Sequence, residues 1–463
     1  MAEAGQDAVV CDTQADLIYT FDYTTAGDQT GKLIKIEDNR GNIHTLTYDA
    51  SGKLQQVTDG LGRTLTFTYA GDKISSVSDG IRTVYYQYND LNDPDNLTNF
   101  IDAVGNGTVY NYKDTSNSSD FALMTSRVSP EGNSLFTQTY YDSNGDWFLR
   151  GRVKSQVDAY GNSFTFDYAP DDTNTVTTME DPLGNSREHV NDRAKLVSSK
   201  DEAGNEITLG YDGSGRRNSV IDQLGNNIAY SFHTESGKIE SITFPDGNTV
   251  TCSYTARNHS SGVVLYDLTS ISFPDSISES YTYDAQGNLI KRIDRGGYQW
   301  TYTHTYFPTP SYLIQQCIET NPSGGTTKLQ YNNDGTLASK TDSAGNTTTY
   351  DYDALKRLTT ITRPDGSVRT LTYDNLNHII SATDERGKTT TRTFDKNGNL
   401  TRITDPDTNV INFTLDNMDR IIQVSFPVGN PALITYDQMG RLKTMTSPNG
   451  NTITYGYDSQ GGK

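Results

Sequence analysis

A spacing of 21 residues governs the C-terminal part of this sequence, and few folds tolerate so short and strict a period. From residue 331 the chain aligns to itself without a gap. Tyr331, Tyr352, Tyr373, Phe394, Leu415, Tyr436 and Tyr457 anchor successive units, and Asn332 or an aspartate (Asp353, Asp374, Asp395, Asp416, Asp437, Asp458) follows each. Six residues after each anchor comes an aliphatic: Leu337, Leu358, Ile379, Leu400, Ile421, Leu442. Fourteen after comes glycine (Gly345, Gly366, Gly387, Gly429, Gly450), with Thr408 the exception. Columns that agree over six intervals are not chance.

Earlier copies are less regular. Tyr48-Asp49 leads to Gly52, Leu54, Asp59 and Gly62, and Tyr283-Asp284 leads to Gly287, Leu289, Asp294 and Gly297. Between about 70–170 and 255–330 the period breaks while turn fragments persist, so these stretches read as repeats carrying insertions. The expected organisation is a tail over 1–14 and one repeat array over 15–463, regular from 331.

Each unit holds two polar turn signals between short runs of β-formers. In residues 346–366, Thr348, Tyr350 and Tyr352 alternate with polar neighbours, which is the period of a strand. Asp353-Ala-Leu-Lys356 turns the chain, Leu358 to Thr362 return it, and Pro364-Asp365-Gly366 closes the unit. An aspartate at the turn accepts backbone hydrogen bonds, and glycine supplies positive φ without steric cost. One repeat is therefore one hairpin, and the fold class is all-β, with glycine, threonine and asparagine interrupting every helical window. Leu358 and Ile361 lie three apart and face opposite sides of a regular strand. Either a bulge realigns them or both faces are partly covered. About twenty hairpins at roughly 4.8 Å per strand make a sheet too long to lie flat, so a spiral or tube is expected, with a solenoid of stacked coils as the competing geometry.

Composition supports a folded β-protein of unusual kind. Hydrophobic residues are only 33 % and the formal charge is −20, yet 30 Tyr and 15 Phe are too many and too regular for a solvated coil. Lys+Arg 38 against Asp+Glu 58 repels phosphate, so no nucleic-acid partner is expected. No apolar run is long enough for a membrane span, and the first residues lack the pattern of a secretory signal. Cys11, Cys252 and Cys317 are too few and too scattered for a disulfide framework.

The column pattern Tyr-Asp-x-x-Gly-Arg-Leu, followed by x-x-Gly-Asn, resembles the YD repeat of the Rhs family. Its clearest copies are Tyr436-Asp-Gln-Met-Gly440-Arg441-Leu442 and Tyr352-Asp-Ala-Leu-Lys356-Arg357-Leu358, with Gly161-Asn162 and Gly184-Asn185 in segments of similar kind. The resemblance covers the chain from about residue 15. It implies a long antiparallel sheet forming an open or partial hollow β-shell, and a toxin or other cargo domain inside that shell as partner. It implies a secreted or cell-surface protein, with the export signal outside this chain. The family's aspartyl autoprotease segment, of the form Pro-x(4)-Asp-Pro-x-Gly-Leu, has no counterpart here, and the chain stops part-way through a repeat. A fragment without a toxin domain is the expectation.

Little in the sequence suggests chemistry. The six histidines show no HExxH spacing, no Gly-x-Ser-x-Gly occurs, and most aspartates sit in turn columns. No catalytic residue, metal ligand or cofactor is expected, and an enzyme is the least favoured class. Asp142-Ser-Asn144-Gly145-Asp146 resembles part of a calcium loop but lacks its length and terminal glutamate. Tyr298, Trp300 and Tyr302 are the candidate ligand-binding aromatics, whose alternative is one strand with its rings packed on the wall. Tyr352, Tyr373, Tyr436, Leu358 and Leu442 are expected on the wall, and Gly345, Gly366, Gly387 and Gly450 in turns. The functional readings are a structural shell, an adhesin for carbohydrate or a cell-surface receptor, and a scaffold self-associating through sheet edges.

Overall fold

The fold was analysed in a computed structural model that describes residues 7–24, 30–113, 122–141, 146–171, 174–310 and 312–458. Among these residues there is no helix, and 40 strands belong to one antiparallel sheet. Pairing joins sequence neighbours: Thr326–Tyr331 pairs with Leu337–Thr341, which pairs with Thr347–Tyr352. By contacts the chain divides into two compact units. One comprises Met1–Tyr69, Val77–Arg82 and Asn227–Thr370; the other comprises Ala70–Ser76, Thr83–Asn226 and Leu371–Lys463.

The bulge alternative is the one adopted. Tyr350 pairs with Ile361 and Tyr352 with Leu358, with a register shift between Asp351 and Tyr352 that leaves Thr359 as the extra residue. Cross-strand partners share a face, so the shift brings Leu358 and Ile361 to the same side. The Thr359 hydroxyl donates to the Asp351 carbonyl at 3.1 Å, and Thr401 does the same to Thr393 two repeats on. The shift recurs at the anchor of hairpin after hairpin, as at Tyr48, Tyr211, Tyr283, Tyr331, Phe394 and Tyr436.

Both turns of the repeat are the same device. In Asp353–Arg357 the Lys356 N–H donates to the Asp353 carbonyl, and the Asp353 N–H donates to the Arg357 carbonyl. One carboxylate oxygen of Asp353 accepts the N–H groups of Leu355 and Arg357, and the other accepts Arg357 Nε at 2.7 Å. In Asp342–Asn346 the same backbone bonds form, with Asn346 Nδ2 at 3.0 Å in place of the guanidinium. The fourth turn residue has positive φ, hence glycine in most copies; Lys356, Asn377, Thr408 and Asp419 adopt it without glycine's freedom.

Adjacent hairpins are clasped by the anchor tyrosines. The hydroxyl of Tyr352 donates to the Leu337 carbonyl, Tyr436 to Ile421 and Tyr457 to Leu442, always fifteen residues back. Arg420 lies 4.3 Å from the Tyr436 ring centroid and Arg441 4.3 Å from that of Tyr457. The Tyr-Asp-x-x-Gly-Arg-Leu pattern thus encodes a turn, a cover for the next anchor and an acceptor for its hydroxyl. Because this is one layer, the deep core is thin: Ile18, Leu265 and Leu313 are the buried hydrophobic side chains among the described residues.

Within the segment expected to be a tail, Ala8–Asp12 forms a strand antiparallel to Leu17–Phe21, since Val9 and Val10 suit a strand and find a partner in register. The irregular stretches have two causes. Around 70–170 the turn after the anchor lengthens, as at residues 88–98 between Thr83–Gln87 and Asn99–Ile101. In 255–330 the strands lengthen instead, as in the 10-residue Thr249–Asn258 and the 9-residue Val264–Ser272.

Candidate functional site

Within each unit, turns from the early part of the chain lie against turns from the late part. In the first unit Lys238 Nζ contacts both carboxylate oxygens of Asp16 at 2.7 Å, and Thr13 donates to the Ser236 carbonyl at 3.1 Å. Arg257 donates to the Asn39 carbonyl at 3.2 Å, and His259 Nε2 lies 3.6 Å from Glu37, both side chains buried. In the second unit Lys396 N–H donates to Glu131 at 2.8 Å, and the Glu131 N–H donates to Asn397 at 3.1 Å. The Asn417 N–H donates to the Tyr160 hydroxyl at 3.3 Å, and the Arg420 guanidinium sits 5.4 Å from the Tyr160 ring centroid.

These contacts follow one rule. Turns of the Asp-x-x-Gly-Asn kind on the early segment face turns of the Tyr-Asp kind on the late one. Asp79–Arg82 faces Asp353–Arg357 across a cavity of about 690 Å³ whose lining includes Ile81, Leu355 and Lys356. Val104 and Leu376 line a second cavity, and Leu183 and Met439 a third. At these meetings the third turn residue on the early row is Leu61, Ile81, Val104, Glu131, Tyr160 or Leu183, and on the late row Leu355, Leu376, Asn397, Met418 or Met439, so all but the Glu131–Asn397 meeting bring apolar or aromatic residues together. The late Asp-x-x-Gly row carries Asp246, Asp275, Gly296, Ser323, Ala344, Asp365, Arg386, Asp407 and Asn449 at the same position, with Val428 its one large apolar member. Sequence reasoning missed this docking surface. The signal was present in the polarity of the third turn residue, but the early and late turns were read as equivalent copies.

Electrostatics reinforce the turns. Burial pushes Asp353, Asp416 and Asp437 up, but hydrogen bonds from the turn backbone and from Arg357, Arg420 and Arg441 outweigh it and hold each below the usual carboxylate range. Asp334 is held at about 2: against burial act the Lys356 ammonium, 2.6 Å away, and the hydroxyl and N–H of Thr336. Lys356, at the position glycine usually holds, thereby ties its turn to the preceding one.

Tyr352, Tyr373, Tyr436, Leu358 and Leu442 are all half-buried. Gly345, Gly366, Gly387 and Gly450 have φ of 85°, 82°, 73° and 83°, and a Cβ at any of them would meet nothing within 4 Å, so backbone conformation alone favours glycine there. Tyr298 lies before the strand Gln299–Tyr306 and is 61 % exposed, whereas Trp300 and Tyr302 are half-buried on that strand. The Arg292 guanidinium lies 5.5 Å from the Trp300 ring centroid, and burial followed by the Glu319 charge raises the Tyr302 phenol. Tyr298 is thus set apart from the other two. The calcium-like segment 142–146 lies outside the described residues except for Asp146. No group of three or more His, Cys, Asp or Glu among the described residues is arranged to hold a metal ion.

The teneurin YD-shell model matches residues 311–462 and the RHS repeat model matches residues 48–80. Over these two stretches, which together make up less than half of its length, the chain is similar to the RHS/YD-repeat family. No curated protein matches it. Among solved structures it is similar to the Photorhabdus luminescens Tc holotoxin pore, at 14 % identity and TM-score 0.41, over 96 % of this chain and 27 % of that one. It is also similar to TcdB2–TccC3–TEV, at 13 % identity and TM-score 0.39, over 96 % of this chain and 28 % of that one. The chain thus spans little more than a quarter of the length of these structures.

Proposed function

We propose that this chain is a wall segment of a shell that encloses a toxin or other cargo polypeptide, in a protein that acts outside the cytoplasm. The observation that supports this reading most is the docking of early on late turns within each unit, which a sheet makes when it winds back past itself. A wall of this kind would need no conventional core, in keeping with the few deeply buried side chains among the described residues. A cargo inside this chain's shell is part of the proposal. No catalytic role is assigned to the chain, whose conspicuous side chains are engaged in turns and clasps. Trp300, under Arg292, does not favour the carbohydrate reading.

The test joins an unfolded, protease-sensitive polypeptide to Lys463 and follows its digestion. Survival well beyond that of the same polypeptide free in solution supports enclosure. Digestion at the free rate, with the sheet itself intact, counts against it.

A further inference from the structure

One wall position of the second unit carries a charge where its column is apolar. Leu329, Tyr350, Leu371, Phe413 and Ile434 hold the place two residues before successive anchors, and Arg392 interrupts them. Tyr350 stands opposite Ile361 and Phe413 opposite Val424, but Arg392 stands opposite Ile403. Arg357, Arg420 and Arg441 each donate to the carboxylate of their own turn. The half-buried Arg392, by contrast, makes no hydrogen bond or ion pair with any described residue, and its Nη1 is buried without a partner. A guanidinium carries five donors, and leaving them unmet beside apolar side chains is costly. The same repeat departs from the pattern twice more. His378 takes the place of the turn arginine, with Nδ1 2.9 Å from Asp374. Its ring stacks at 4.4 Å on Phe394, an anchor without a hydroxyl.

These departures converge. Arg392, His378, Phe394 and Lys396 line the cavity of about 350 Å³ that Val104 and Leu376 share. Its two carboxylates are engaged by their turns. Asp374 accepts the N–H groups of Leu376 and His378 at 2.9 Å each, and Asp395 accepts the Asn399 N–H at 2.8 Å and side chain at 3.1 Å. Glu131 takes the Lys396 N–H, while the Lys396 ammonium has no ion pair among the described residues. Two unpaired cations thus stand beside apolar side chains, in a chain of formal charge −20. We propose that this cavity binds a monocarboxylate with an apolar body. The planar fork of a guanidinium matches a carboxylate through two parallel hydrogen bonds. Val104, Leu376 and Phe394 suit a hydrocarbon or aromatic body, and the volume is that of a small-molecule pocket. The acidic surplus of the chain disfavours a more highly charged anion. A free small acid and the end of a polypeptide share this chemistry. The proposal does not rest on the enclosure reading.

In the experiment, phenylacetate is titrated into the full chain by calorimetry, beside its neutral amide and beside acetyl-glycyl-phenylalanine with a free C terminus. Phenylacetate is expected to bind about tenfold more tightly than phenylacetamide. Arg392→Leu, which restores an ordinary residue of the column, is expected to weaken phenylacetate binding about tenfold with the urea midpoint kept. Tighter binding of the peptide supports a site for a polypeptide end; tighter binding of phenylacetate supports a site for a free acid. Equal binding of acid and amide, or equal binding by the parent chain and Arg392→Leu, overturns the proposal. So does absence of phenylacetate binding, which leaves the guanidinium to water. If Arg392→Leu lowers the midpoint, the comparison of acid with amide on the unaltered chain decides.

Discussion

Two turns of the second unit share their hydrogen bonds and differ in everything else. In Asp181–Asn185 the carboxylate accepts the Leu183 and Asn185 N–H groups at 2.8 and 3.0 Å and the Asn185 side chain at 3.0 Å. In Asp405–Asn409 it accepts the Asp407 and Asn409 N–H groups at 2.9 and 2.8 Å and the Asn409 side chain at 2.9 Å. Yet Leu183 shares a cavity with Met439, while Asp407 is exposed and holds only Lys388 at 3.2 Å. The carboxylate makes the turn; the third residue, apolar in Asp181–Asn185 and charged in Asp405–Asn409, is what differs between them. Folding of the hairpin and closure of one row upon another are therefore encoded at different positions of the same five residues.

The feature common to both turns carries the largest expected effect. Burial raises Asp181, but hydrogen bonds from Asn185 and Leu183 hold its pKa down; Asp405 is lowered by its bond from the Asn409 side chain and by the turn backbone. A carboxyl depressed in the folded state stabilises above its unfolded value and loses that contribution as pH falls through the folded value. With many such turns, the urea midpoint should hold steady from about pH 7 to about pH 5 and fall steeply below about pH 4. A midpoint at pH 3 equal to that at pH 7 would show that the carboxylates do not hold the turns.

The contrast itself is tested by exchanging the third residues. Leu183→Asp places a charge against Met439 and is expected to cost about 1–2 kcal/mol in denaturant titration. Asp407→Leu alters an exposed tip and should change stability by less than about 0.5 kcal/mol. Equal costs at the two positions would erase the distinction between docked and free rows. The smallest effect concerns the free turn alone. Thr408 is β-branched at φ 68°, so Thr408→Gly should stabilise by about 0.5–1 kcal/mol, seen as a raised urea midpoint.

What the sequence made legible was local. The anchor at Tyr352, the turn at Asp353 and the return at Leu358 lie within seven residues, and their chemistry declares the hairpin. Leu358 and Ile361 announced that regular alternation fails, though choosing the bulge required the register opposite Tyr352. The tyrosine column was legible as sheet surface, but not the reach of the Tyr352 hydroxyl to Leu337, because that bond joins separate hairpins. Docking was not legible at all. Asp181 and Asp437 are separated by turns that look alike, and the offset between facing rows depends on how far insertions and lengthened strands carry the sheet before it returns.

The register of that return is best measured by a double-mutant cycle on Tyr160 and Arg420, with Tyr160 and Arg441 as the pair one turn out of step. Tyr160→Ala and Arg420→Ala should be coupled by about 1 kcal/mol, and Tyr160→Ala with Arg441→Ala should be additive within about 0.3 kcal/mol. Additivity for the first pair, or equal coupling for both, would contradict turn-on-turn docking in the register described.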